Sequence, residues 1–229
     1  MVVDPSMLEA VVRSHLNISA PRAMVVLEPI KINLVNLVKG VSYDIEVPDF
    51  PDAPEKGNHK IAFGSTIFIE RNDFREVMEK GYRRLTPDQP VGLRYAGYVI
   101  KVNKMKKDSS GQVTEIDAEA IPVEEADKPK AFVHWVADPI EVEVRLYERL
   151  FRHKNPEDAD EVPGGFLTDV DPDSKKVMKS LSDKWLSNVN VYDRFQFERV
   201  GFFSVDTDSS EEKLVFNRTV SLKEDSKKV

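Results

Sequence analysis

Short runs of alternating apolar and polar residues, each ended by a turn signal, follow one another through most of this chain. They cover residues 30–35, 66–70, 91–94, 98–102, 112–118, 131–136, 140–146, 196–205 and 213–222. Runs of that length with a period of two suit strands buried on one face and are too short for helices with a core of their own. Asp108-Ser109-Ser110-Gly111 supplies tight-turn chemistry and predicts a hairpin. Many short strands joined by turns lead to barrels or sandwiches. One segment departs from the pattern. Asp4-Pro5 reads as an N-cap with proline at the first helical position, and Leu8, Val11, Val12 and Leu16 follow at helical spacing. This amphipathic helix has no partner in the segment after it, which points to a body upstream.

Other stretches read less regularly. Residues 40–54 are loop-like, with Pro48, Pro51 and Pro54. Asn72 or Asp73 is placed to cap a short helical turn through Phe74 and Met78. Residues 155–165 are acidic and rich in Pro and Gly, as a linker or long surface loop is. In 175–185 the helical spacing of Val177, Leu181 and Trp185 competes with a strand, and the tail from Lys223 is expected to fray. No internal repeat is visible.

Composition narrows the function classes. With 229 residues the chain can bury one large core or two modest ones, and 41% hydrophobic with 32% charged residues is ordinary for a globular protein. A net charge of −7 argues against a general polyanion binder and so against DNA, yet leaves room for a site-specific RNA binder with local basic patches. With no cysteine, disulfides, Cys-ligated zinc and thiol catalysis are excluded. No apolar run approaches the roughly 20 residues of a membrane span, so a cytoplasmic protein without membrane contact is expected.

Catalytic motifs are missing. His15, His59, His134 and His153 are scattered without a ligand partner at close spacing. Asp169-Val170-Asp171-Pro172-Asp173 opens like a calcium loop, but Ser174 stands where the loop needs Gly and Ser180 where it needs Glu. There is no G-x-S-x-G, P-loop or G-x-G-x-x-G. Lys104-Met105-Lys106-Lys107 reads as a solvated hairpin edge whose lysines deter pairing.

What stands out is the stretch 195–206, where Phe195, Phe197, Phe202 and Phe203 interleave with Gln196, Glu198 and Arg199. Aromatic and guanidinium groups stack unpaired bases, and amides read their edges. The plainer reading of the phenylalanines is barrel core, which we adopt for them. Arg84 and Arg94 bracket the turn-like Thr86-Pro87-Asp88-Gln89-Pro90, which can bring both guanidinium forks to one end of a β-module. Arg22 lies at the junction of helix and first strand. Each of these, read alone, is also explained as a surface ion pair or a helix-terminus partner.

Together the segments resemble the anticodon-binding region at the C-terminus of the glutaminyl-tRNA synthetase family, of the eukaryotic type. The resemblance rests on Ala20-Pro21-Arg22-Ala23-Met24, Ile67-Phe68-Ile69-Glu70-Arg71-Asn72-Asp73-Phe74, Gln89-Pro90-Val91-Gly92-Leu93-Arg94 and Lys128-Pro129-Lys130-Ala131-Phe132. It continues through Val144-Arg145-Leu146-Tyr147-Glu148-Arg149-Leu150-Phe151, Val162-Pro163-Gly164-Gly165-Phe166 and the stretch 195–206. It implies a mainly β fold of two ribosomal protein L25-like β-barrels, the distal one inserted in the proximal one, after a short N-terminal helix. The implied division is 1–20 as a helical remnant of the catalytic body, 21–78 with 152–229 as the proximal barrel, and 79–151 as the distal barrel.

The resemblance also implies roles. Arg22, Gln196 and Arg199 align with readers of the middle anticodon base, Arg84 with the reader of the third, and Arg94 with a contact near the first. Asp52, Tyr82 and Arg83 are further candidates for RNA contact. Gly81 and Gly92 stand where bacterial members carry a polar or basic contact. The implied partner is tRNA(Gln). The parent enzyme, a class I glutamine–tRNA ligase, uses ATP and magnesium, while this chain is expected to hold no cofactor and no active site. The competing expectation is a module that docks other synthetases or scaffold proteins through acidic loops at 155–173. Finally, Gln196 and Arg199 would face opposite sides of a regular strand, so an irregularity between them is expected if they share a base.

Overall fold

The computed structural model describes residues 5–222. In chain order it contains α1 (Pro5–Ser19), β1 (Arg22–Ala23), β2 (Val25–Val26), β3 (Pro29–Leu34), β4 (Ser42–Pro48), β5 (Asn58–Gly64), β6 (Thr66–Glu70), β7 (Val91–Leu93) and β8 (Tyr98–Lys107). There follow β9 (Val113–Pro122), β10 (Phe132–Val133), β11 (Trp135–Val136), β12 (Ile140–Tyr147), β13 (Lys175–Ser182), β14 (Arg194–Phe197), β15 (Gly201–Val205) and β16 (Val215–Ser221). The architecture is mainly β, with two nearly closed barrels and one helix before them, as expected.

The barrels follow from the alternation. In β3, Ile30, Ile32 and Leu34 are buried while Lys31 and Asn33 are half exposed. Asp108 shapes the β8–β9 turn by accepting from the Ser110 amide at 2.9 Å, the Ser110 hydroxyl at 2.6 Å and the Gln112 amide at 3.0 Å. One sheet has the order β1-β14-β15-β16-β12-β13-β2, the other β10-β7-β8-β9-β3-β6-β11. Each sheet begins and ends on the two halves of one interrupted strand, broken at Met24 in the first and at His134 in the second. That interruption lets a single segment pair with both edges and close the sheet, which removes the exposed edges that invite aggregation.

The two sheets run through the same pairings: parallel, antiparallel, antiparallel, parallel, antiparallel, antiparallel. The barrels are thus one topology used twice, an internal repeat that the sequence did not reveal. Its trace is short. Arg22-Ala23-Met24-Val25-Val26-Leu27-Glu28-Pro29-Ile30 lies against Phe132-Val133-His134-Trp135-Val136-Ala137-Asp138-Pro139-Ile140, with only the valine, proline and isoleucine positions retained.

Sheet membership also corrects the expected division. β3 and β6, placed in the proximal barrel, pair with β9 and β11 in the second barrel; β12, placed in the distal one, pairs with β13 and β16 in the first. The second barrel therefore draws on residues 29–136 and is inserted between β2 and β12 of the first. The boundary falls at Leu27-Glu28 and Ala137-Asp138-Pro139, where each interrupted strand hands the chain to the next barrel.

Each barrel has its own core. Val25, Val144, Phe197, Phe203 and Phe216 fill the first, where Phe197 and Phe203 stack at 4.1 Å. Ile32, Ile67, Val91, Ile100, Ile116 and Trp135 belong to the second. Burying a side chain of this size contributes about 1.5–3 kcal/mol. Phe202 points the other way: it packs outside the barrel with Val220 beneath Leu16 and Ala20, forming the seat of α1. Leu16 is thereby buried and Val12 half covered, while Leu8 and Val11 remain exposed. The expected Asp4 cap and the tail from Lys223 lie outside the described residues.

Three local readings change. Part of the stretch read as loop, 40–54, is β4, paired with β5 as a separate ribbon; its largely polar, exposed face and its prolines hid it. The turn expected to begin at Asn72 or Asp73 is a 3-10 turn over Arg71–Asp73, preceded by Glu70. In 175–185 the strand reading holds and the helical one does not: Val177 and Leu181 lie in β13, which ends at Ser182, and Trp185 falls in a separate 3-10 turn Lys184–Asn188 started by Asp183, whose carboxylate accepts from the Trp185 amide at 2.7 Å.

Candidate nucleic-acid interface

The repeat sets equivalent turns of the two barrels against each other. After β14 comes Glu198-Arg199, and after β7 comes Arg94-Tyr95. The Glu198 amide donates to the Ala23 carbonyl as the Arg94 amide does to Val133, both at 3.0 Å. Arg199 (φ 64°) and Tyr95 (φ 63°) are both left-handed. That conformation costs a bulky residue about 1–3 kcal/mol and tends to persist at functional positions. Here it throws both side chains across the seam between the barrels. The Tyr95 hydroxyl donates to Glu198 Oε1 at 3.1 Å, and Arg94 Nε stands 3.2 Å from the same oxygen as an ion pair without hydrogen-bond geometry. Burial works against the Arg94 charge, but Glu198 and Tyr95 together outweigh it and raise the Arg94 pKa.

The expected irregularity between Gln196 and Arg199 is present, because β14 stops at Phe197 and Arg199 sits in the turn. It does not bring the two side chains together: Arg199 turns to Asp73 and His134, while Gln196 Oε1 is unpaired among the described residues. Gln196 lies opposite Arg22 in the parallel β1–β14 register. Both are buried, and Arg22 Nη2 donates to Asn17 Oδ1 at 3.2 Å. Arg22 Nη1 and Gln196 Oε1 have no hydrogen-bond partner among the described residues. A buried polar group left unpaired costs about 1–3 kcal/mol, so a donor and an acceptor are held ready at that cost. Burial lowers the Arg22 pKa, against the pull of Glu198 and Asp52. Asp52 itself is exposed and lines a shallow recess with Arg22 and Asn17.

Arg199 instead joins Arg84. Asp73, only 1% exposed at the end of the turn after β6, accepts Arg199 Nη1 at 2.6 Å and Nη2 at 2.8 Å. Arg84 Nη1 stands 3.2 Å from the same carboxylate. The paired geometry with Asp73 outweighs the burial of Arg199 and raises its pKa. Arg199 Nη1 also lies 3.2 Å from His134 Nδ1; that donor leaves the ring proton on Nε2, which faces Glu70 Oε1 at 3.5 Å. Glu70 is fixed in turn by the amides of Leu27 and Glu28, at 2.7 and 3.1 Å. Arg84, Asp73, His134 and Arg199 line a recess of 350 Å³ built from both barrels. Arg94 lies near enough to both groups for its positive charge to oppose those of Arg22 and Arg199.

Tyr82 donates from its hydroxyl to the Asn72 carbonyl at 3.1 Å, and Arg75 covers its ring at 4.4 Å. Burial, then Asp73, pushes its phenol up to about 12. Arg83 is exposed. Gly81 is left-handed (φ +89°) with open space where a side chain would point. Sequence reasoning missed Asp73, Glu198, His134 and Tyr95, the groups that hold the arginines in place. Ion pairs between residues far apart in sequence leave no local signal. The shared φ of Arg199 and Tyr95 belongs to the repeat, which had to be seen first.

The arrangement presents guanidinium forks in fixed planes, backed by buried carboxylates, along a seam formed by both barrels. This suits reading planar polar edges and serves poorly for holding phosphates without selection, because each fork is already partly neutralised.

Residues 20–121 and 132–206 match two family models, each described as the anticodon-binding domain of class I tRNA synthetases for E and Q. The chain is 56% identical over its full length to a Drosophila melanogaster protein named probable glutamine–tRNA ligase, covering 29% of that protein. It is 52% identical over 99% of its length to the glutamine–tRNA ligase of Bos taurus, again covering 29%. It is 42% identical over 97% of its length to that of Pectobacterium atrosepticum, covering 41%. The chain thus spans less than a third of the animal relatives and under half of the bacterial one.

Proposed function

This chain belongs to the class I tRNA synthetases for glutamine and glutamate, as the anticodon-binding region of a glutaminyl-tRNA synthetase, and from that premise we propose how it reads its RNA. It binds the unstacked anticodon loop of tRNA(Gln) along the barrel seam and contributes identity to an enzyme that joins glutamine to that tRNA. ATP and magnesium, in this proposal, are held by the part of the synthetase that this chain does not span. Arg22 and Gln196 read one base together. Arg199 and Arg84, tied through Asp73, flank a second position, and Arg94 contacts a third. This regroups Arg199 with Arg84, where the resemblance had implied a pocket shared with Arg22 and Gln196. We place the protein in the cytoplasm; no helix among the described residues is long and apolar enough to cross a membrane.

The observation that carries the reading is the buried Arg22 Nη1 and Gln196 Oε1, a donor and an acceptor without partners on adjacent strands at the seam. A base edge offers the complementary pair. Titration of anticodon stem-loops at fixed salt tests it. Arg22→Ala is expected to weaken the cognate loop by about 1–3 kcal/mol and a scrambled loop much less. Equal loss on both loops would assign Arg22 to general attraction and end the base-reading role.

A further inference from the structure

The internal repeat places a second outward-facing pair in the second barrel. Where the first barrel sets Arg22 opposite Gln196, the second sets Phe132 opposite Gly92, in the same parallel register. The backbone at Gly92 is not left-handed, so its conformation does not call for glycine; the ring does. A Cβ on Gly92 would lie 2.4 Å from two carbons of the Phe132 ring. The ring therefore rests against the strand, yet Phe132 stays 43% exposed while Val133, His134 and Trp135 after it are buried. Arg94 follows two residues after Gly92 on the same strand end.

We propose that Phe132 is a stacking platform for an unpaired base of the bound anticodon loop. The inference rests on the anticodon-reading function above and extends it. At the place where one barrel offers a guanidinium and an amide to a base edge, the other offers a ring to a base face. Every base has such a face, so the platform itself tolerates sequence, and discrimination at this position falls to the neighbouring Arg94 fork. A ring that covers a strand glycine also steadies the sheet, which explains the contact with Gly92. It does not explain the exposed face.

The test separates these roles with a thermodynamic cycle. Stem-loops carrying an abasic site at each anticodon position in turn are titrated against the wild-type chain, Phe132→Leu and Phe132→Tyr, with thermal midpoints measured alongside. Leucine keeps a cover over Gly92 and removes the π-face. Phe132→Leu is expected to bind the intact loop about tenfold or more weakly. At one anticodon position its loss and the abasic loss should fail to add, because each removes the same contact. Tyrosine should restore both affinity and coupling. Additive losses at all three positions, or a lowered thermal midpoint with unchanged affinity, would reduce Phe132 to a structural cover. If the wild-type chain binds no stem-loop, the anticodon reading itself falls. If it binds and Arg22→Ala impairs it while Phe132→Leu does not, only the platform falls.

Discussion

Asp73→Asn is the substitution that asks most of this structure. The carboxylate is 1% exposed, pairs with both terminal nitrogens of Arg199 and stands beside Arg84. Asparagine keeps the shape and one acceptor but turns an amino group toward a guanidinium. Removing one partner of a fully buried pair costs about 3–5 kcal/mol. Arg199 keeps 22% of its side chain exposed and one acceptor survives, so we expect about 2–3 kcal/mol. For a chain of this size that is a drop of about 4–12 °C in the thermal midpoint. RNA binding should move in the opposite sense. With the carboxylate's charge gone, Arg199 and Arg84 present more net positive potential, and non-cognate stem-loops should bind more tightly with a steeper salt dependence. Cognate binding loses the fixed fork planes, so the ratio of cognate to non-cognate affinity should fall about tenfold. The assay is a salt-controlled titration beside thermal denaturation. An unchanged midpoint together with an unchanged ratio would refute the claim that Asp73 organises both arginines.

Further perturbations probe other parts of the seam. Gln196→Leu removes an acceptor that is buried unpaired, so the free protein should be unchanged or gain about 1 kcal/mol by denaturant titration while cognate RNA binding weakens; a clear loss of stability would mean Oε1 is already satisfied. Arg199→Lys keeps the charge but not the paired geometry, and selectivity among stem-loops should fall more than total affinity at low salt; equal falls would count against a fork. Gly92→Ala drives a methyl into the Phe132 ring and should destabilise by about 1–3 kcal/mol, relieved by a second change at Phe132. His153 and Asp169 pair at 2.5 Å in the loop after β12. The hydrogen bond to Asp169 raises the His153 pKa, so that contribution is complete below its unfolded value of about 6.5 and fades as pH rises through the raised folded one. Burial pushes Asp169 upward, but the bonds from His153 prevail and lower it, so its contribution fades as pH falls through that lowered value. Protection of the His153 amide, which donates to Asp169, measured against its intrinsic exchange rate at each pH, should be greatest between the two values and decline on the alkaline side; protection that does not change with pH would contradict the pairing.

Much of the fold is legible from alternation, because a strand with one buried face writes its period into the sequence. β3, β6 and the β8–β9 hairpin follow directly from their runs and from Asp108. β4 is not legible: apart from Val47 its side chains are exposed or half exposed, so no buried face imposes a pattern. The repeat is hidden for a related reason. Its two copies need only apolar residues at the same inward positions, while the outward residues diverge as far as Arg22 and Phe132. That divergence is where the candidate site lies. The boundaries at 78 and 151 failed because barrel membership is decided by pairing between distant strands, as with β3 and β9, and no linker marks it. The arginines were found as residue types at carried-over positions. Their grouping was not, because Asp73 and Glu198 act across long sequence separations and set which forks lie together.

The central claim is that this seam reads the anticodon. Filter binding of tRNAs identical except in their anticodons, at one fixed salt concentration, tests it most directly. The account predicts that the glutamine anticodon binds more tightly than each single-base variant, by about 1–3 kcal/mol per base changed. Equal affinities across the series, all falling together as salt is raised, would show a surface that senses phosphates alone and would contradict it.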